Sequence, residues 1–161
     1  MRIGVVSDTH DNARNVARIV EVLSRARVDR VVHTGDITRP ETLAKLAEID
    51  VPMVAVYGNN DVYREALAEV ASHHRIEIAE PPHHVVWESR GILVLHDPRD
   101  IEGALRDEHR LVLHGHNHRR VIERSDERLI FNPGECAGIM DGLNAVGIVD
   151  LAALEAEVLL F

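Results

Sequence analysis

Apolar residues recur along this chain in short, β-branched runs that each stop abruptly on polar residues. The first is Ile3–Val6, closed by Ser7, Asp8, Thr9 and His10. Runs that are apolar on both faces suit central parallel strands covered on both sides. Val16, Ile19, Val20 and Leu23 then fall at i, i+3, i+4 and i+7, the stripe of an amphipathic helix that Asp11 or Asn12 can cap. Arg30–His33 leads a second strand that ends on Gly35-Asp36. Thr38 and Glu41 have the spacing of a capping box, with Pro40 in the first turn of a helix carrying Leu43, Leu46 and Ala47. Pro52–Tyr57 is a third strand, ending on Gly58-Asn59-Asn60-Asp61, and Tyr63, Ala66, Leu67 and Val70 give the next helical stripe. Three strand–helix units in a row predict right-handed crossovers and a parallel sheet.

The second half has a different rhythm. Residues 83–88 and 92–96 flank Ser89-Arg90-Gly91 as a hairpin, and a short helix is predicted from Asp100 to Asp107. Residues 111–118 return to strand. A hairpin follows around Ser125-Asp126-Glu127, and a last one around Ala152–Leu154. This half reads as mostly antiparallel. No linker, repeat or low-complexity segment interrupts the chain, so a single domain over residues 1–161 is expected.

At 161 residues and 45% hydrophobic content, the chain can bury an ample core. No apolar run approaches the roughly 18 residues of a membrane span, and Asp8 and His10 break any signal-peptide apolar segment. The single cysteine, Cys136, excludes an internal disulfide and fits a reducing cytoplasm. A net charge of −9 argues against a sequence-independent grip on nucleic acid, and 3% aromatic content against a base-stacking platform. A homo-oligomer is compatible with this composition.

The candidate chemistry sits at the strand ends. Asp8 and His10, Asp36, Asn59, His96, then His116 and His118 each follow an apolar run. In open α/β sheets ligands bind at that edge, and alternation along an extended chain would point Asp8 and His10 the same way. Two carboxylates, four imidazoles and an amide oxygen, without a thiolate, suit manganese, iron, cobalt, nickel or zinc. Seven donors are too many for one ion but right for two ions sharing a carboxylate. Glycines 35, 58 and 115 are read as letting the backbone turn sharply beside them. Two metals about 3.5–4 Å apart form the usual clamp for in-line displacement at phosphorus.

At these residues the chain resembles the calcineurin-like metallophosphoesterase superfamily, over essentially its full length. The match runs through Asp8-x-His10, Gly35-Asp36, Gly58-Asn59-Asn60-Asp61, His96 and Gly115-His116-Asn117-His118. Its size and Asn132-Pro133-Gly134 resemble the small, single-domain YfcE-type phosphodiesterases. The resemblance implies an α/β, four-layer αββα sandwich of two facing mixed β-sheets flanked by helices. It implies Asp8, His10 and His118 on one metal, Asn59, His96 and His116 on the other, and Asp36 bridging, with manganese favoured. It also implies a small phosphodiester substrate attacked by a metal-bridging hydroxide. His10, Asn60 and Asp61 are the candidate catalytic residues.

Three departures from the family pattern stand out. Asn60 occupies the place where the family usually has a histidine, and cannot donate a proton. This weakens the phosphomonoesterase alternative more than the diesterase reading. His96 opens His-Asp-Pro-Arg-Asp rather than His-Gly-His, so Pro98 and Arg99 reshape the rim. Glu135 follows Asn-Pro-Gly where serine is common. A scaffold of the same fold, like the related retromer subunit, is a further alternative, but that line has lost ligands that are intact here. Elsewhere, His33 is read as a buried, hydrogen-bonded histidine and Cys136 as a small core residue. His109 and His114 are read as structural, and His73-His74 and His83-His84 as solvated. Asp61 is read as orienting a ligand imidazole, capping the following helix, or both.

Overall fold

In the computed structural model every residue from 1 to 161 is described except Asp126 and Asp141. Arg2–Val6 (β1), Arg30–His33 (β2), Met53–Val56 (β3) and Ile76–Ala79 (β4) pair in parallel, in that order. The connecting helices are Ala13–Ala26 (α1), Pro40–Leu46 (α2) and Arg64–His73 (α3). A second sheet holds His83–Trp87 (β5), Arg90–Val94 (β6), His109–Leu113 (β7), Val121–Arg124 (β8) and Leu129–Asn132 (β9), in the order β5-β6-β7-β9-β8. A short helix, Ile101–Ala104 (α4), joins β6 to β7. The chain closes with Ala145–Asp150 (β10) and Glu155–Leu160 (β11), which return to the first sheet beside β1. This is the two-sheet α/β sandwich the family resemblance implied.

Strand alternation divides the core into three. Ile3, Val5, Val32 and Val56 face Ile92, Val94, Leu111, Leu113 and Phe131 between the sheets. Val6, Val31 and Ala55 turn the other way, onto Val16, Ile19 and Leu23 of α1 and onto Leu43, Leu46 and Leu67. Leu93, Leu95 and Val112 meet Ile101, Ala104 and Leu105 on the far side of the second sheet. The first strands are thus apolar on both faces because both faces are covered.

Several local expectations are corrected. The second sheet is mixed rather than mostly antiparallel: β6, β7 and β9 run parallel, and only the β5–β6 and β8–β9 pairs are hairpins. Arg39, not Thr38, is the N-cap of α2, and its side chain makes no capping bond. Thr38 instead adopts φ 69° and donates its hydroxyl to Asp11. Asn12 caps α1, accepting from the amide of Asn15. Strand β4 had no sequence counterpart, and the helix expected over 100–107 is a 3₁₀ turn followed by α4 alone. In the β8–β9 turn, Asp126 lies outside the described residues.

Phe131 fills the space between the sheets, fully buried, and its ring leaves no room for a side chain at position 147. Phe131→Ala is therefore expected to cost about 3–5 kcal/mol, a large share of the stability of an ordinary domain. Urea unfolding checks this as a fall in midpoint without a change in slope.

Candidate metal centre

Strands β1, β2 and β3 run parallel in one sheet, and β6 and β7 in the other. The loops after these five strands meet at one edge of the sandwich, and all seven expected donors come together there. The backbone does not reach this edge by staying extended. Asp8 (φ 52°), His10 (φ 41°), Asp36 (φ 58°), His116 (φ 72°) and His118 (φ 55°) all sit in the left-handed region. Aspartate and histidine tolerate that region better than most residues, but each such position carries a cost of about 1–3 kcal/mol. Asp8 and His10 therefore converge by turning the chain, not by strand alternation.

The donors fall into two overlapping groups. Asp8, His10 and His118 offer atoms within 4.8 Å of one another, as do Asp8, Asp36 and His96. His10 Nε2 lies 3.4 Å from Asp36 Oδ2, and His118 Nε2 lies 3.5 Å from Asp8 Oδ1. Around His96 Nε2 stand Asn59 Oδ1 at 2.9 Å, His116 Nδ1 at 3.2 Å and Asp36 Oδ1 at 3.5 Å. Asp8 and Asp36 are buried, and no described lysine or arginine lies within 4.0 Å of either. Burial raises the Asp8 carboxyl above the ordinary carboxylate range, against the opposing pull of the Ser7 hydroxyl and nearby imidazoles.

A model of the calcineurin-like phosphoesterase superfamily domain matches residues 1–153. The chain belongs to that superfamily. It is 31% identical over 157 residues to phosphodiesterase MJ0936 of Methanocaldococcus jannaschii, covering 93% of each chain. A solved structure described as a novel archaeal phosphodiesterase superposes with a TM-score of 0.84 at 29% identity, covering 100% of both chains. YfcE, a phosphoesterase from E. coli, shares the fold with a TM-score of 0.74 at 19% identity, covering 99% of this chain and 98% of its own.

The superfamily implies divalent metal ions, and the geometry fits them. His10 Nε2 is buried without a hydrogen-bond partner although it faces two carboxylates. His96 Nδ1 stands 2.9 Å from the Thr34 carbonyl, which can only accept, so that nitrogen carries the proton and Nε2 presents a lone pair. That lone pair points into the carboxylate and amide oxygens of Asp36 and Asn59. Lone pairs crowded beside two buried carboxylates suit a bound cation.

The supporting contacts assign residues the sequence left open. Glu135, 1% exposed, accepts from His118 Nδ1 at 3.0 Å with one oxygen and from the Met140 amide at 2.7 Å with the other. It therefore fixes the tautomer that turns His118 Nε2 toward Asp8. No motif pointed to this role, because Glu135 and His118 meet only through the fold. The Asp61 carboxylate meets no described imidazole, and Tyr63 rather than Asp61 is the N-cap of α3. It accepts instead from the amides of Asp36 (2.9 Å), Thr38 (2.6 Å) and Gly58 (2.6 Å), tying two of the ligand loops together. Asn60 donates to Asp36 through its backbone (2.9 Å) and its side-chain amide (2.7 Å).

Gly58 and Gly115 act differently from the sharp turns expected of them. Neither has positive φ; a Cβ on Gly58 would strike the Asp36 carboxylate, and one on Gly115 would lie 2.8 Å from Asp8 Oδ2. Only Gly35 (φ 103°) is also conformationally required. His83 and His84 are not solvated ends but half-buried residues of β5, and the His84 ring stacks on His109 at 4.9 Å. Arg99 folds back onto Asp97.

His33 is the buried brace expected. Its Nδ1 accepts from the Gly35 amide at 3.2 Å, so Nε2 is the protonated nitrogen facing Thr9 Oγ1 at 3.2 Å. Burial lowers its pKa from 6.5 to about 3. A histidine whose folded pKa is depressed stabilises the fold fully above its unfolded value and loses that contribution as pH falls. Metal-free protein should therefore lose up to about 1.4 kcal/mol per pH unit through His33 below roughly pH 6.5. Urea titrations at stepped pH should show a shallower acid slope in His33→Gln than in the parent.

Proposed function

We propose that residues 1–161 act as one metallophosphoesterase domain that hydrolyses a small phosphodiester with two divalent transition-metal ions, manganese foremost. The observation that carries this reading is the orphaned, buried His10 Nε2 beside two carboxylates that no described lysine or arginine approaches within 4.0 Å. Asp8, His10 and His118 would hold one ion, Asn59, His96 and His116 the other, with Asp36 shared. When bound, the ions would neutralise the phosphoryl oxygens and supply an activated water at neutral pH. The similarity to an archaeal phosphodiesterase, in sequence and in solved structure, supports the same reading. A buried, unpaired Cys136 is consistent with work in the cytoplasm.

The chain's own residues bias the substrate. Asn60 holds the Asp36 carboxylate through two hydrogen bonds and cannot give a proton to a departing oxygen. A positioned acid contributes about 10²–10⁴-fold, so diesters with good leaving groups should be favoured. A monoester dianion would also bring a second negative charge among Asp8, Asp36 and Asp61. Asp61 acts through the backbone, holding the Asp36 and Asn59 loops in register.

Two measurements test the reading. Manganese-reconstituted protein should carry about two ions per chain; Asp36→Ala should empty both sites and His118→Ala mainly one. A stoichiometry of one or none in the parent would reject the two-metal centre. Hydrolysis of bis(4-nitrophenyl) phosphate should exceed that of 4-nitrophenyl phosphate and should fall on acidification, as protons compete with the metal for its donors. Excess manganese should move that acid limb to lower pH; a limb indifferent to metal would mean the ligand histidines do not set it.

A further inference from the structure

A narrow groove opens from the metal centre on the His118 side. It measures about 260 Å³ and is lined by His118, Arg119, Arg120, Gly134, Met140 and Leu143. Ordinary ligand pockets run from about 300 to 1,000 Å³, so this one suits a single substituent rather than a whole ligand. Its far wall is unusual for a surface this charged. Met140 and Leu143 of that wall are 39% and 48% exposed. Its other wall carries adjacent guanidinium groups. Both Arg119 and Arg120 are exposed, and neither reaches a carboxylate within 4.0 Å among the described residues, so two adjacent guanidinium groups are left available at the groove.

The apolar wall is fastened to the centre. Glu135 grips His118 with one carboxylate oxygen and the Met140 amide with the other. Asn12 and Asn15 hold the same loop from α1, donating to the carbonyls of Ala137 and Cys136 at 2.8 Å each. A substituent lying on Met140 and Leu143 therefore rests against a segment positioned by the carboxylate that orients a metal-facing histidine.

We propose that this groove binds one ester arm of the substrate, and that the arm is nucleotide-like: a flat apolar ring together with a further phosphate. The proposal rests on the diesterase reading above and specifies its substrate class. Met140 and Leu143 take the ring, and Arg119 and Arg120 take the additional phosphate, which guanidinium forks bind in bidentate fashion. A single small arm, rather than a polynucleotide, agrees with the groove's size and with the chain's net charge of −9.

Calorimetric binding of thymidine 3′,5′-bisphosphate to manganese-loaded protein tests the groove without turnover. The variants Arg119→Ala/Arg120→Ala and Met140→Ser/Leu143→Ser alter exposed side chains and should melt like the parent. Each should weaken bisphosphate binding by about tenfold or more while leaving inorganic phosphate within about twofold. In turnover, each should lower kcat/KM for thymidine 3′-phosphate 5′-(4-nitrophenyl phosphate) by a similar factor and spare methyl 4-nitrophenyl phosphate. Unchanged bisphosphate binding in both variants, or equal losses on both esters, would overturn the groove assignment. The parent's rate on methyl 4-nitrophenyl phosphate reports the diesterase reading separately. Groove-dependent bisphosphate binding without hydrolysis of either ester would sustain the groove and reject the hydrolase.

Discussion

Two carboxylates, Asp8 and Asp36, lie buried at the edge of a β-sandwich among imidazoles, with no lysine or arginine within 4.0 Å among the described residues. Uncompensated charge in that environment is expensive, and the surrounding architecture fits a bound cation. Everything nearby serves to hold acceptors toward a common point. Imidazoles present lone pairs because their opposite nitrogens face a carbonyl or a carboxylate, as at His96 and His118. The backbone around them is left-handed at five donor positions. A rigid two-sheet core, packed on Phe131, sustains that strain.

The same economy explains residues that bind nothing themselves. Asp61 spends its whole carboxylate on three amides from two loops, and His33 joins the first loop to the second. Gly58 and Gly115 supply space: the carboxylates of Asp36 and Asp8 occupy the volume a Cβ would need. Substituting any of these would alter the geometry of the candidate site without removing a donor.

On the rim, the departures from the family pattern are structural statements about this chain. Asn60 replaces a proton donor with a clamp on Asp36. Glu135 links the candidate metal centre to Met140, so the loop beside the groove and His118 share one anchor. Arg99, one of the two residues that reshape the rim, is held by Asp97. On the His118 side, Arg119 and Arg120 reach no carboxylate among the described residues.

The sequence by itself determined the parallel βα half, the helices from Asn12 and Pro40, the two terminal hairpins and the seven candidate donors. Those follow from local signals: apolar period, caps, and polar residues closing each strand. Tertiary structure alone decided that β6, β7 and β9 run parallel, because strand direction in a sheet depends on crossovers that periodicity does not encode. It decided the roles of Glu135 and Asp61, whose partners are remote in sequence or are backbone amides with no side-chain signature. It also decided that Asp8 and His10 meet through left-handed turns, since φ at a non-glycine residue reflects the loops that over-determine it. Strand β4 escaped notice because its short Ile-Glu-Ile-Ala run is an edge strand, defined by the neighbour it pairs with more than by its own residues.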